Sequence, residues 1–261
     1  MNDRVYRRPD RRLLLAEGPR VLAEITSLMP ASAFLYQAPR GDGHPVLLIP
    51  GLGGGDGSTT VLRGFLSSLG YQSHPWNLGT NRGPGMPDLL VNLATRLDEV
   101  FAAAGERKVS IVGWSLGGVY ARVLAHHHPN KVRQVVTLGS PIAGSRRSTS
   151  SPVRSLAGEP LPGIPSTAVF SKTDAIVPWQ MATQQPTEIA ENVEVYSSHI
   201  GLGFNPAVLY AVADRLANRE GQWRPLQRTG WKRLVYGPAV LEPGNSSGDR
   251  SNERAAAAAG S

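Results

Sequence analysis

The 261-residue chain contains no cysteine. Disulfide frameworks, thiolate metal sites and cysteine nucleophiles are thereby excluded. The redox compartment stays open, because a cysteine-free chain is at ease in either state. Long apolar runs are also missing. None approaches the roughly 18–20 residues of a helical membrane span. Lysine is scarce, at 4 residues against 23 arginines, and the net charge is +7. The basic excess sits at the ends, in Arg4, Arg7, Arg8, Arg11 and Arg12, and in Arg219, Arg224, Arg228, Lys232 and Arg233. No aromatic-interleaved basic stripe accompanies it, so nucleic acid is not the expected partner. Solvated ends are the plain reading, with weak peripheral contact to an anionic membrane as the alternative.

The composition is 41% hydrophobic and 18% charged, which suits one large α/β domain with a real core and argues against global disorder. Arg11-Arg12-Leu13-Leu14-Leu15 has the look of a twin-arginine signal. Only Leu13 to Ala16 form an unbroken apolar stretch before Glu17, Gly18, Pro19 and Arg20 interrupt it. A signal core needs about 7–15 apolar residues. No export signal is read, and a cytoplasmic location is expected. Residues 20–29 suit a short amphipathic helix, with Val21, Leu22, Ile25 and Leu28 on one side.

From residue 44 the pattern alternates. Apolar strand runs are expected at 46–49, 71–76, 109–112, 132–138, 167–170 and 193–196. Helical spacing is expected after Ser58, after Asp88, over 116–127 and after Asn205-Pro206 to about Asn218. Such alternation implies a mostly parallel sheet with helices on both faces. Four segments follow: a basic N-terminal segment with a short helix over 1–43, an α/β core over 44–218, an extension over 219–242 and a disordered tail over 243–261. Residues 140–165, rich in Ser, Pro, Gly and Arg, read as a loop or flap. Trp223, Trp231, Leu234, Val235 and Tyr236 are expected to pack the extension onto the core.

Gly113-Trp114-Ser115-Leu116-Gly117 matches G-x-S-x-G between an expected strand and an expected helix. A nucleophile elbow sets its serine in a strained strand-to-helix turn, and the glycines leave room for the close approach of backbone. Together with Pro50-Gly51-Leu52-Gly53-Gly54 and Thr137-Leu138-Gly139-Ser140-Pro141, this motif resembles the α/β-hydrolase fold superfamily, in particular its bacterial esterase and lipase-like members. The resemblance covers about residues 44–218. It implies an acid after the strand that follows and a histidine after the last strand. Asp174 and His199 occupy those places. The order Ser, Asp, His is that of the fold.

Ser115 is the expected nucleophile, His199 the base and then acid, and Asp174 the group that orients the imidazole. The backbone N–H groups of Leu116 and Leu52 are the expected oxyanion donors, with Gly53 the alternative to Leu52. Trp114, Ile176, Ile200 and Leu202 are candidate substrate contacts. Asp56 is the runner-up acid. His126, His127 and His128 do not share one helix face, and no metal or organic cofactor is expected. Residues 139–166 are too few for a multi-helix cap, which suggests an open site and small-molecule or polymeric ester substrates. Lipase, polyester hydrolase, thioesterase, amidase and acyltransferase activities share the same tetrahedral chemistry. A non-catalytic ligand-binding protein on the same fold is the remaining alternative.

Overall fold

The computed structural model describes residues 9–143 and 152–238. Arg4, Arg7 and Arg8 and the expected disordered tail over 243–261 lie outside them. Six parallel strands form one sheet: β1 Pro45–Ile49, β2 Gln72–His74, β3 Val109–Trp114, β4 Val132–Leu138, β5 Ser166–Phe170 and β6 Ala190–Glu194. Their order is β2-β1-β3-β4-β5-β6. The chain therefore steps one way from β1 to β2 and the other way from β3 onward. The sheet's switch point falls between β1 and β3. Crevices at such points, beyond the carboxyl ends of the strands, are where parallel α/β sheets bind ligands.

The all-apolar strand runs have a simple cause. Val46 and Leu48 face one side of the sheet, where α2 (Thr60–Ser68) and α6 (Pro206–Leu216) cover them. Leu47 and Ile49 face the other, under α3 (Leu89–Ala103) and α4 (Leu116–His127). Both faces of the pleat are buried, so alternation in polarity is lost.

Several local expectations need correction. The first helix, α1, runs from Arg11 to Leu35 and contains Pro19 and Pro30. It is not confined to residues 20–29. Leu22 and Ile25 lie on its exposed face, together with Leu15 and Met29, while Glu17 is buried. The inner face is anchored by polar groups, which the apolar spacing alone did not disclose. Ser58 does not cap α2. It lies in a 3-10 turn, Asp56–Thr59, and its hydroxyl donates to the Gly55 carbonyl. Asp88 stands at the N-cap of α3, but its side chain caps nothing there. Asn205 does cap α6, accepting from the Ala207 N–H with Pro206 in the first turn. The last strand ends at Glu194, and Tyr196 is exposed.

The segment read as a loop or flap contains α5 (Pro152–Gly158). The buried Arg122 guanidinium of α4 donates to the Ala157 carbonyl, to the Glu159 carbonyl at 2.6 Å and to Gln184 Oε1 at 2.6 Å. These bonds satisfy carbonyls at the end of α5 and tie it to the domain. Of the C-terminal residues, Trp231 lies edge-on to Phe34 and Tyr210, and Tyr236 is buried with its hydroxyl donating to the Ala207 carbonyl. Leu234, on the short α7 (Lys232–Val235), is exposed and contributes little to that packing, whereas Val235 is partly covered and borders a cavity with Glu194 and Tyr196. No described helix is long and apolar enough to cross a membrane.

Candidate active site

Ser115 follows β3 with φ 51° and ψ −121°, a left-handed conformation that L residues avoid. Such strain costs on the order of 1–3 kcal/mol and persists only where the surroundings enforce it. Here they do. The Ser115 N–H donates to the Leu138 carbonyl at 2.8 Å. A Cβ at Gly113 would overlap the backbone of Gly117 and Gly118, and one at Gly117 would overlap the Ile49 carbonyl. Only glycine lets strand, turn and helix approach so closely.

The imidazole of His199 completes the arrangement. Its Nε2 lies 3.1 Å from Ser115 Oγ, and its Nδ1 lies 2.6 Å from Asp174 Oδ2. A carboxylate only accepts, so Nδ1 carries the proton and Nε2 is free to accept from the serine hydroxyl. Asp174 Oδ1 is occupied by the N–H groups of Ile176 and Val177, both at 2.8 Å. Asp174 is thus buried, fixed and fully bonded. Gly139 closes against the pair. A Cβ there would stand 3.1 Å from Asp174 Oδ2 and 3.3 Å from His199 Nδ1.

The loop after β1 borders the serine, since a Cβ on Gly51 would lie 3.1 Å from the Ser115 Cβ. Gly53 donates its N–H to the Asn81 carbonyl at 2.7 Å, so it is not free to meet an oxyanion. The Leu52 N–H has no acceptor among the described residues. Leu116 is the first residue of α4, where the N–H has no partner within the helix. The buried Asn81 shapes this loop. Its Nδ2 donates to the Pro50 carbonyl at 2.9 Å, its N–H donates to the Gly54 carbonyl, and its Oδ1 accepts from Gly83.

The expected substrate contacts divide. Leu52, Ile176 and Ile200 are exposed, Leu52 beside Gly51 at the serine turn, Ile176 two residues after Asp174 and Ile200 next to His199. Leu202 is a correction. The 3-10 turn Gly201–Gly203 directs it inward, where it is fully buried beneath Gly139. Trp114 is half-buried against the core with its ring over Gly203, and its Nε1 donates to the His199 carbonyl at 3.2 Å. It supports the histidine loop. Asp56 accepts from the Trp76 N–H at 3.0 Å and has no part in the Ser–His–Asp chain.

Three residues of α1, outside the expected site, reach it. Glu17 Oε1 accepts from the Ile200 N–H at 3.0 Å, and Glu24 Oε1 accepts from the Ser198 N–H at 2.9 Å. Arg20 donates to the Thr173 carbonyl and hydroxyl, both at 2.7 Å. In the sequence these three charges only interrupt an apolar stretch. Their spacing of three and four residues, which puts them on one helix face, was the available signal.

The sequence of residues 44–184 matches the model of the alpha/beta hydrolase fold family, more than half of the chain. A triacylglycerol lipase of Burkholderia plantarii is 33% identical over 121 residues, 44% of this chain and 33% of the relative. A pimeloyl-[acyl-carrier protein] methyl ester esterase of Proteus mirabilis (strain HI4320) is 40% identical over 62 residues, 24% of this chain and 23% of the relative. The matches thus span about a third or less of these relatives. Among solved structures, Aspergillus fumigatus lipase B superposes with a TM-score of 0.54 at 18% identity, covering 70% of this chain and 54% of that one. A pyrethroid hydrolase superposes with a TM-score of 0.51 at 18% identity, covering 66% and 96%. At these identities the superpositions speak for the fold alone. With its parallel sheet, its serine turn after β3 and a family match that runs from β1 to beyond β5, the chain belongs to the α/β hydrolase fold family.

Proposed function

We propose that this protein is a serine-dependent carboxylic ester hydrolase working through an acyl-enzyme on Ser115. The observation that carries the reading is the continuous Ser115–His199–Asp174 hydrogen-bond chain at a strained turn on the sheet's switch point. The names of the curated relatives, a lipase and a methyl ester esterase, support ester chemistry.

Ser115 Oγ attacks the ester carbonyl carbon while His199 Nε2 takes the hydroxyl proton. Asp174 holds the Nδ1–H and stabilises the imidazolium that forms. The carbonyl oxygen becomes an oxyanion facing the Leu52 and Leu116 N–H groups, each such donor being worth about 10²–10³ in rate. The tetrahedral adduct collapses, the C–O bond to the alcohol breaks, and the alcohol leaves with the proton from His199. Water then attacks the acyl-enzyme with His199 again as base. The acid leaves, and the proton returns to Ser115.

Substrates with apolar chains fit the surroundings. Leu52, Ile176 and Ile200 present exposed side chains around the site. An apolar cavity of about 260 Å³, lined by Met86, Leu89, Leu90, Tyr120 and Val153 among others, opens beside α4. Tyr120 lies about one helical turn beyond Leu116. We assign this cavity to the acyl chain.

The test is hydrolysis of p-nitrophenyl esters from acetate to palmitate, wild type beside Ser115→Ala, with fluorophosphonate labelling in parallel. The reading requires activity that peaks at short or medium chains, labelling at Ser115, and loss of both in the variant. Wild-type rates in Ser115→Ala would sink it. Labelling without esterase activity would redirect the substrate to a thioester or amide. Absence of both would favour a non-catalytic ligand-binding protein.

A further inference from the structure

We infer that α1 is a positioning splint for the base and the acid of the site, an inference that rests on the roles proposed for His199 and Asp174. Two carboxylates from one helix face accept the backbone N–H groups on either side of His199, Glu24 that of Ser198 and Glu17 that of Ile200. Between them on the helix, Arg20 grips both oxygens of Thr173, the residue before Asp174. One rigid element therefore sets the loop of the base and the loop of the acid against each other.

The contacts are built in detail. Glu24 also accepts from the Ser198 hydroxyl and, at 3.0 Å, from Asn205 Nδ2, which ties in the start of α6. A Cβ at Gly201 would overlap the Glu24 carboxylate, so glycine there gives the acid its room. Arg20 lies 3.9 Å from Glu17 Oε2 and over the ring of Tyr196 at 5.3 Å. Glu17 is buried. Hydrogen bonds to an ionised partner are roughly twice as strong as neutral ones. The family match begins at residue 44, so α1 lies outside the matched region.

Position matters here because the imidazole has two distances to keep at once, to Ser115 and to Asp174. A misplacement of about 1 Å costs about 10² in rate. Glu17, Arg20 and Glu24 touch neither nucleophile nor reacting atoms, so they act through the backbone of their partners.

The test uses the full chain with Glu17→Ala, Arg20→Ala, Glu24→Ala and Glu24→Gln. One readout is kcat and KM on p-nitrophenyl butyrate. The other is amide hydrogen exchange over residues 171–176 and 196–203. Removal of either carboxylate is expected to lower kcat about 10–100-fold. KM should stay within about threefold, as for a loss confined to the transition state. Exchange should quicken over 196–203 while β3 and β4 keep wild-type protection, and Arg20→Ala should do the same over 171–176. Glu24→Gln retains an acceptor for the Ser198 N–H and should recover most of kcat. Glu24→Ala added to His199→Ala should cost nothing further, because an effect routed through His199 has lost its target. Unchanged kcat with unchanged exchange overturns the splint. So does faster exchange across the whole sheet, which marks lost stability in place of lost positioning. A wild type with neither esterase activity nor labelling is the failure of the proposed function; the exchange comparison then still decides whether α1 holds the two loops.

Discussion

His44 and Ser110 form a second serine–histidine contact, with Nε2 2.8 Å from Oγ. Asp42 Oδ1 lies 2.5 Å from His44 Nδ1, so residue types and distances mimic those at Ser115. Ser110 lies in the interior of β3, and His44 immediately precedes β1, at the amino end of the strands. Both side chains are fully buried. Ser110 has no strained turn and no approach from solvent, and its neighbour Arg133 pairs with Asp42 at 2.9 Å. The comparison shows what the distances alone leave out. A nucleophile also needs exposure and free backbone donors.

The first prediction follows directly. Ser110→Ala should leave kcat on p-nitrophenyl esters within about twofold of wild type, and fluorophosphonate should label Ser115 alone. Peptide mapping of the labelled protein checks this. Any label on Ser110 contradicts the buried, structural role.

The second concerns pH. Burial pushes the His44 imidazole down to about 4, helped by the Arg133 guanidinium and opposed by the Asp42 carboxylate. The folded protein therefore binds this proton less readily than the unfolded chain, whose histidines titrate near 6.5. Stability from this group is complete above about pH 6.5 and is lost as pH falls towards 4, amounting to about 3 kcal/mol. Urea unfolding between pH 4 and 8 should show that slope in wild type and a flatter one in His44→Gln. Equal slopes would refute the assignment.

The third concerns the loop after β1. Asn81→Ala removes the donor to Pro50 and the acceptor for Gly83. Leaving such buried groups unpaired costs about 1–3 kcal/mol. The Leu52 N–H should lose its fixed place, and kcat should fall by about 10-fold or more. Kinetics beside a urea melt separate the two effects. A stable variant with wild-type kcat would show that Asn81 does not shape the oxyanion loop.

The fourth contrasts two glycines. A Cβ at Gly117 would meet the backbone carbonyl of Ile49, and neither the Cβ nor the carbonyl can rotate out of the way. Gly117→Ala should destabilise by more than about 3 kcal/mol or fail to fold. Gly57 has open space around it, and Gly57→Ala should fall within about 0.5 kcal/mol of wild type. Thermal melts of both are sufficient, and equal effects would contradict the steric argument.

What was legible in the sequence was local. Val46–Ile49 and Val109–Val112 declare buried strands because each strand's two faces are both covered. The turn at Ser115 declares itself because only glycines at 113 and 117 permit it. Leu202 misled for a physical reason. Its nearness to His199 in sequence suggested a pocket wall, but a 3-10 turn rotates successive side chains about 120° apart and sends this one into the core. Asn81 escaped because it binds backbone groups of another loop, Pro50 lying 31 residues away, which leave no mark in side-chain pattern, and the three charges of α1 escaped because their partners lie far away in the chain. Glu24 and Ser198 are 174 residues apart, and no periodicity links them.

That separation has a consequence for biosynthesis. The partners of α1 follow it by some 150–180 residues. At about 5–20 residues per second, α1 leaves the ribosome on the order of ten seconds or more before they do. Until then Glu17 and Glu24 lack the Ile200 and Ser198 N–H groups that they accept from in the folded protein. Ser115 and its turn are synthesised in the interval, ahead of Asp174 and His199. The Ser115–His199–Asp174 contacts can thus close only after translation has passed residue 200, when α1 meets loops made long after it.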